Sequence, residues 1–414
     1  MNPLYVGIDV SLKNHKVCFM KPDGTRLQTF SIPNSPTGSD HLANKVQTTL
    51  DKLGINEVIL GMEATSHYGE HLFKALRNHE ILARYGKKFL VINPRQIEVY
   101  RKSYNDIPKN DKMDAFMIAR FLKDRAIDYD EYNPDEPYEA LRYLTRQRIK
   151  LVENIVKAKQ RLMQQIFLKF STLAQTKVFS NNCSATALAV YEGFASAEDL
   201  ANMDMEALLA FIKEKGRNSF AHPEQVAEAL KKAIASSFRL PKTIEETVSY
   251  TIGSSVRLIR FMEKQKKELD QEIKKHMKLF PNTLMSIPGL GPVCTAGILA
   301  EIGCIERFKN QARLAKYAGL AWTQHQSADF EAENTKSISS GNRYLKYYLH
   351  EAAWSLVNCN TEYKDFYKRK YGEVKLHQHK RALALTARKL VRLVFHLLKY
   401  QCLYRPSTDS TPHA

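Results

Sequence analysis

Four carboxylates in the first third of the chain stand at positions where they could hold a cation. Asp9 lies in GIDVS, Glu63 lies in GMEATSHYG, and Asp111 and Asp114 lie three residues apart in KNDKMDA. Residues i and i+3 of a helix share a face, so the two aspartates repel each other. They are either a solvated first turn that complements the helix dipole, or ligands for Mg²⁺ or Mn²⁺, which take such all-oxygen sets.

The elements that must position these acids follow an alternating α/β pattern. Apolar runs at 4–9 and 16–20, with LQTFSI after them, predict a three-stranded antiparallel meander. The buried strand EVILGME and the extended segment FLVINP come later, and the helical segments lie near 37–53 and 66–79. We therefore expect an α/β sheet with covered faces. Asp9 and Glu63 would emerge at strand carboxyl ends, where such sheets bind ligands.

The rest of the chain is predicted to be mostly helical. The acidic, proline-containing stretch DYDEYNPDEPYE indicates a domain boundary. Two basic helices with heptad-like apolar spacing follow, one of them with Leu258, Met262, Leu269, Ile273 and Met277 on one stripe. They could pair as an antiparallel coiled coil, within one chain or between chains, or pack as ordinary helices. The domains predicted are 1–128, 137–280 with a helical insert at 171–246, 281–404, and a flexible tail at 405–414.

Charge points to a polyanionic partner. The chain carries 62 Lys and Arg against 44 Asp and Glu, a net +18. Half of that excess lies between Arg343 and Lys399, which hold thirteen cations and four acids, with aromatic residues interleaved. Such a surface suits a nucleic-acid backbone, with Arg343 and Lys346 as candidate contacts. A solvated basic face with buried aromatics is the ordinary alternative.

Membrane and zinc-binding classes find little support in the sequence. No apolar run reaches the roughly 18 residues that a membrane span needs, and the first residues lack the pattern of a signal peptide. The six cysteines show no CxxC or Cys/His spacing. We therefore expect a cytoplasmic protein with no membrane partner.

The segment SIPGLGPVC places two glycines and two prolines before a helix of small residues. A helix-hairpin-helix turn presents backbone N–H groups to a phosphate in this way, which makes Gly289 and Gly291 candidate nucleic-acid contacts. A tight turn that docks one helix on another is an equal alternative on composition alone.

The order of the acidic motifs resembles that of the DEDD transposases of the Piv and MooV recombinase type. GIDVS, GMEATSHYG and KNDKMDA match in sequence and spacing, and VINP resembles the link that precedes the aspartate pair. The resemblance implies a RuvC-like first domain with an RNase H fold. It also implies metal-binding roles for the residues at the matching positions, Asp9, Glu63, Asp111 and Asp114.

The second half resembles the same family in SIPGLGP, LAKYAGLAWTQHQS and GNRYLKYYLHEAAW. In that family a serine after the YAGL segment joins DNA, and the match places it at Ser327. Composition alone does not distinguish it from Ser337, Ser339 and Ser340. His325 could act as its base, and Ala328 stands where the family has glycine.

These observations predict a transposase or site-specific recombinase of an insertion sequence, associated with the nucleoid. As the resemblance implies, Ser327 forms a phosphoserine link to DNA, a structured noncoding RNA guides the choice of element ends and target, and a homodimer or tetramer acts. One alternative is a RuvC-like metal-dependent nuclease on branched DNA, which would not need Ser327. Others are a non-catalytic DNA-binding protein and an actin-like sugar kinase, although no glycine-rich adenosine motif is found.

Overall fold

A computed structural model of the protein describes residues 2–64, 67–104, 111–128, 131, 135–194, 196–218, 220–322, 326–327, 330–331 and 341–406. The chain divides into two compact units, Met1–Asp135 and Glu136–Ala414. Within the described ranges, no helix combines the length and the apolar character that crossing a membrane requires.

A mixed five-stranded sheet forms the centre of the first unit. Its strands are β1 (Leu4–Asp9), β2 (Asn14–Met20), β3 (Arg26–Pro33), β4 (Glu57–Glu63) and β5 (Gly86–Ile92), in the order β3-β2-β1-β4-β5. The pairs β1–β2 and β2–β3 are antiparallel, whereas β4 runs parallel to β1 and β5 runs parallel to β4. The predicted meander and the two later strands are confirmed.

Helices cover this sheet. They are α1 (Pro36–Leu53), α2 (Glu70–Arg77), α3 (Pro94–Lys102) and α4 (Asp111–Arg125), with 3₁₀ turns at His67–Gly69, Glu80–Leu82 and Ala126–Asp128. The sequence signals for α1 are typical, since the Ser35 hydroxyl accepts a hydrogen bond from the Gly38 amide and Gly54 ends the helix with φ 65°. The apolar side chains of β1, β4, α1 and α2 share one buried core.

Two glycines let α4 lie unusually close to the sheet. Gly7 of β1 pairs with Gly61 of β4. A Cβ atom on Gly7 would lie 2.3 Å from the Ala115 carbonyl oxygen and 2.3 Å from the Ala119 amide nitrogen, and a Cβ on Gly61 would meet the Leu122 side chain at 2.5 Å. The backbone of α4 therefore rests directly on β1, which fixes the position of the aspartates at the start of that helix.

Replacing Gly7 by alanine should therefore destabilise the first unit. The added methyl meets backbone atoms of α4, which cannot rotate away, so the helix has to move; overpacking of this kind costs about 3 kcal/mol. Chemical denaturation should show the loss as a lower midpoint. Gly86→Ala is the matched control in the same sheet, because its Cβ would lie nearest the flexible Glu57 side chain, at 3.2 Å, and would meet the Asn56 carbonyl oxygen at an ordinary contact distance of 3.5 Å. Equal stability of Gly7→Ala and Gly86→Ala would contradict the close packing of α4.

The second unit is almost entirely helical. Its helices are α5 (Glu136–Lys169), α6 (Ser171–Gln175), α7 (Ala185–Gly193), α8 (Ala197–Asn202), α9 (Met205–Gly216), α10 (Pro223–Ala235), α11 (Lys242–Met277), α12 (Pro292–Ile302), α13 (Gln311–Tyr317), α14 (Arg343–Cys359), α15 (Thr361–Gly372) and α16 (Gln378–Tyr400). Short 3₁₀ turns lie at Leu284–Ser286 and Ile305–Arg307, and the two-residue strands β6 (Gln326–Ser327) and β7 (Phe330–Glu331) pair antiparallel.

The two long helices α5 and α11 pack antiparallel within the chain. Cross-helix bonds join Arg148 to Asp270 at 2.5 Å and Lys159 to Glu263 at 2.7 Å, so the numbering of the two helices runs in opposite directions. One half of the pair joins α6–α10 in a buried core, and the other half joins α12–α16 in a second core. The proposed stripe on the second helix is wrong at Leu258, which is 52% exposed, because Val256 and Ile259 face the core instead.

Candidate active site

The first two acids lie at the same edge of the sheet. Asp9 is the last residue of β1 and Glu63 the last residue of β4, each one position beyond the paired residues Ile8 and Met62. Side chains two positions apart on a strand share a face, so Asp9 lies on the face of Gly7 and Glu63 on the face of Gly61. That face carries α4. The strand register therefore places both acids at neighbouring carboxyl ends, as expected from the sequence.

The helix α4 brings the two aspartates to the same edge. Asp111 and Asp114 form its first turn, and the helix passes over Gly7 one turn later. Burial raises the pKa of Asp9 to about 6, and the negative charges of Asp114 and Asp111 add to the rise. The charges of Asp111 and Asp114 therefore act on Asp9 through space, although more than a hundred residues separate Asp9 from the pair.

Arg101 is a site residue that the sequence analysis missed. It lies in the last turn of α3, and its guanidinium pairs with the carboxylate of Asp114. The side chains of both residues are about four-fifths buried, with 19% and 22% of their surfaces exposed. The positive charge of Arg101 opposes the rise in the pKa of Asp9. No local pattern around VYRK singles out this arginine, because its partner lies on another helix.

The donor chemistry of this cluster fits a divalent cation. All the candidate ligands are carboxylates, the donors that Mg²⁺ and Mn²⁺ prefer. Burial and then repulsion by Asp114 and Asp111 raise the pKa of Asp9, and a cation would relieve that repulsion. Among the described residues, no three His, Cys, Asp or Glu side chains already stand at the spacing needed to hold an ion. The cluster thus has the ligand type and charge for a cation, with Arg101 paired to one of its members.

Ser327 belongs to β6, where its backbone pairs with Phe330. Its side chain lies outside the described residues, as do His325, Ala328 and the serines at 337, 339 and 340. The two ends of the segment from 321 to 340 are held together at its base. Gly341 adopts φ 150°, and a Cβ there would lie 2.5 Å from the Gly319 backbone. A side chain at Gly341 would force these chain ends apart.

A polar network fixes the same base. Glu301 of α12 is 1% exposed and accepts two hydrogen bonds from Arg146, at 2.7 and 2.9 Å. The side-chain amide of Asn342 donates to Glu301 at 2.6 Å and to the Tyr317 hydroxyl at 3.0 Å. The backbone N–H of Asn342 donates to the Tyr317 carbonyl at 2.7 Å. Asn342 also caps α14. A satisfied buried network of this kind rigidifies the segment ends that it joins.

The candidate phosphate contacts lie in different surroundings. Gly289 has φ 90°, and a Cβ there would meet Cys359 at 2.9 Å, so this glycine packs its turn against α14. Gly291 precedes α12, and a Cβ there would meet nothing within 4 Å. Arg343 and Lys346 lie in the first turn of α14, the former with its guanidinium 4.7 Å from the Tyr344 ring centre.

Comparison with known proteins identifies the family. A model for DEDD transposases of the IS110 type matches residues 6–170, and a model described as the transposase IS116/IS110/IS902 family matches residues 282–368. Together the two matches cover more than half of the chain and include both motif regions. The chain belongs to the IS110-type DEDD transposases. This IS110-type enzyme is therefore a DNA transposase or recombinase, and membership of the DEDD group indicates dependence on a divalent metal.

Relatives extend the likeness along the chain. The insertion element IS116 uncharacterized 44.8 kDa protein of Streptomyces clavuligerus is 23% identical over 413 residues, which cover 99% of this chain and 98% of the relative. The insertion element IS110 43.6 kDa protein of Streptomyces coelicolor is 28% identical over 34% of this chain and 35% of its own length. The pilin gene-inverting protein of Moraxella lacunata is 30% identical over 29% of this chain and 34% of its own length.

Proposed function

We propose that this transposase cuts and rejoins DNA strands with a metal-binding carboxylate cluster and a serine nucleophile. The observation that carries the proposal is the electrostatic influence of Asp114 and Asp111 on Asp9, with the three acids held at one edge of the sheet. It lies within the region that the DEDD family model matches. Glu63 completes the set at the neighbouring strand end.

The four carboxylates would hold Mg²⁺ or Mn²⁺ against a DNA phosphate. When bound, the metal polarises the phosphate and stabilises the leaving oxygen. The residues of the chain supply the rest. The sheet edge holds Asp9 and Glu63, α4 holds Asp111 and Asp114, and Arg101 orients the carboxylate of Asp114 through their ion pair.

Ser327 is the proposed nucleophile. Its hydroxyl oxygen attacks the phosphorus, a phosphoserine bond forms, and the bond to the 3′ oxygen breaks; the serine proton passes to a base and a proton reaches the released 3′-hydroxyl. In the second step a 3′-hydroxyl attacks the phosphoserine, a new phosphodiester forms and the serine is restored. His325 is the candidate base. The Asn342–Glu301 hydrogen bond and the close approach of Gly341 to Gly319 hold the two ends of the segment that carries Ser327.

The strand order β3-β2-β1-β4-β5 supports an RNase H-like, RuvC-like first domain at 1–128. For the second unit we retain the proposed divisions, a coiled-coil region at 137–280 and a transposase domain at 281–404 with a helix-hairpin-helix turn. Gly289, Gly291, Arg343 and Lys346 are its proposed nucleic-acid contacts. The open space around Gly291 supports a nucleic-acid contact there. The packed position of Gly289 gives less support to a contact at that residue.

The proposed partners are the element ends, the target DNA, a structured guide RNA and further copies of the chain in a dimer or tetramer. The net charge of +18 suits simultaneous binding of two polyanions. The named activity of the Moraxella relatives, inversion of a pilin gene, adds inversion to insertion and excision as reactions open to this chemistry. The enzyme would act at the nucleoid.

The test is a search for a covalent protein–DNA complex. Wild-type enzyme with its copurified RNA is incubated with Mg²⁺ and labelled DNA that carries the element ends, and products are separated after denaturation. We expect labelled DNA to remain attached to the protein, and mass spectrometry to place it on the peptide that contains Ser327. Cleavage without any attached DNA would indicate the RuvC-like nuclease instead. Digestion of the RNA beforehand should remove the attached product if an RNA guides the reaction.

A further inference from the structure

Four ring side chains from three helices form an exposed cluster on the second unit, called here the aromatic surface. It consists of Trp354 of α14, Tyr367 and Tyr371 of α15, and His379 of α16. The Trp354 ring lies 5.9 Å from Tyr367 and 5.3 Å from His379, and Tyr367 lies 5.9 Å from Tyr371. Each ring thus contacts at least one other ring at aromatic packing distance.

The aromatic surface is not part of the hydrophobic core of these helices. Trp354 is 44% exposed and Tyr371 is 39% exposed. The core is served by other aromatic residues of the same helices, Tyr348 at 1% and Tyr363 at 2% exposed. Large rings that neighbour one another and face solvent contribute little to folding, whereas exposed aromatic groups of this kind mark binding surfaces.

The cluster is held in place before any ligand arrives. The Tyr367 hydroxyl and Nδ1 of His379 are 2.8 Å apart and share a hydrogen bond that joins α15 to α16. Trp354 packs edge-on against both of these rings, with interplanar angles of 71° and 87°. A preorganised surface loses little side-chain entropy when it binds a ligand.

Unpaired positive charge lies close to the rings in sequence. From residue 361 to residue 381 the chain has seven Lys and Arg against three acids. Glu373 is shared by Lys370 and Arg381, at 2.5 and 2.9 Å, and Glu362 pairs with Lys389. Within the ranges that the structure describes, four lysines of this segment make no ion pair: Lys364, Lys368, Lys375 and Lys380. These side chains are free to contact phosphates.

We propose that the aromatic surface binds an unpaired nucleotide of a DNA or RNA strand, with its base stacked on Trp354 and Tyr371. Exposed rings flanked by lysines match the two parts of a single-stranded nucleotide, a flat base and an anionic phosphate. A base inside a duplex already stacks on its neighbours and has no free face to offer. The inference rests on the proposed function only in so far as that function supplies a nucleic-acid partner.

Fluorescence provides a direct test because the chain has two tryptophans, Trp322 and Trp354. The Trp322→Phe variant retains Trp354 as its only tryptophan, and a stacked base quenches indole emission. The probes are single-stranded DNA and RNA of about 12 nucleotides and the corresponding DNA duplex. We expect saturable quenching by at least one single strand and much weaker quenching by the duplex. Equal quenching by strand and duplex, or none by either strand, would overturn the proposal.

Substitutions then locate the contact. Tyr371→Ala and Trp354→Ala should each weaken single-strand binding about tenfold, since each removes one ring on which a base can stack. Binding is measured by anisotropy of a labelled strand, with thermal melting to verify folding. Tyr250→Ala is the matched control, because Tyr250 is 74% exposed on α11 and lies outside the cluster. Weakening by the control to the same extent would count against a specific stacking site, and so would unchanged binding by the folded Tyr371→Ala variant.

The test of the aromatic surface and the test of the proposed function can fail independently of each other. Quenching of Trp354 by a single strand without any covalent product in the wild type would support the aromatic surface while removing the serine mechanism. Formation of the covalent product together with unchanged binding by Tyr371→Ala would do the reverse.

Discussion

Replacing Ser327 by alanine should abolish the covalent protein–DNA product and reduce strand joining by about 10³-fold or more. In the proposed mechanism the alanine lacks the oxygen that would form the phosphoserine bond, and removal of a covalent nucleophile leaves only the binding and electrostatic contributions to catalysis. Purified variant and wild-type enzyme are compared on labelled element-end DNA with Mg²⁺. Both the denaturation-resistant complex and the joined product are quantified.

Ser337→Ala is the control for this experiment because Ser337 lies in the same polar segment, ten positions further along. It should retain the covalent product at the wild-type level. DNA binding by both variants, measured by anisotropy, should remain close to that of the wild type, since neither change alters charge. A covalent product that persists in Ser327→Ala and disappears in Ser337→Ala would move the nucleophile to the second serine.

The arrangement of the first unit was predictable because its signals are local. Short apolar runs bounded by turn residues indicate strands, and all five strands lie where those runs occur. The pair Asp111 and Asp114 before an apolar run indicates the start of α4. Its close approach to β1 was not anticipated, because a glycine in a strand shows only that a side chain is missing. The atoms that occupy the space, from Ala115 and Ala119, come from a distant part of the chain.

Long-range polar partners account for the rest of what sequence reasoning missed. Arg101 pairs with Asp114 across two helices, and Glu301 joins Arg146 and Asn342 from segments that are far apart in sequence. The phase of α11 was misjudged at Leu258 because the helix begins earlier, at Lys242, and its buried face is set by the core that it shares with α6–α10. Ser327 was selected by family resemblance, since a hydroxyl in a polar segment carries no local signal.

Substitution of Asp9 by asparagine should remove activity and at the same time stabilise the metal-free protein near neutral pH. Burial and the charges of Asp114 and Asp111 raise the pKa of Asp9 to about 6 from its ordinary value of 3.8. The folded state therefore holds the Asp9 proton more tightly than the unfolded state does. For wild type, this group makes folding less favourable as pH rises from about 4 to about 6, and the full loss persists above about 6.

Asparagine cannot ionise, so the variant avoids that loss. Two pH units correspond to roughly 3 kcal/mol, but Asp9 is partly exposed and solvent screens the interaction, so we expect a gain of about 1 kcal/mol in the free energy of unfolding at pH 7. The gain should shrink as pH falls below about 6 and vanish near pH 4. Denaturation with EDTA present, at a series of pH values, measures it.

Asp135→Asn supplies the comparison for an exposed carboxylate at the edge of the first unit, and its stability should follow that of the wild type at each pH. Adding Mg²⁺ should stabilise the wild type more than Asp9→Asn, because the variant has lost one anionic ligand and part of the repulsion that a cation relieves. A variant that is no more stable than wild type at pH 7 would mean that the Asp9 carboxylate is not under strain from its neighbours. Equal stabilisation of both proteins by Mg²⁺ would place the metal elsewhere. The pH series in EDTA measures the repulsion among the carboxylates, and the Mg²⁺ series measures cation binding by the same carboxylates.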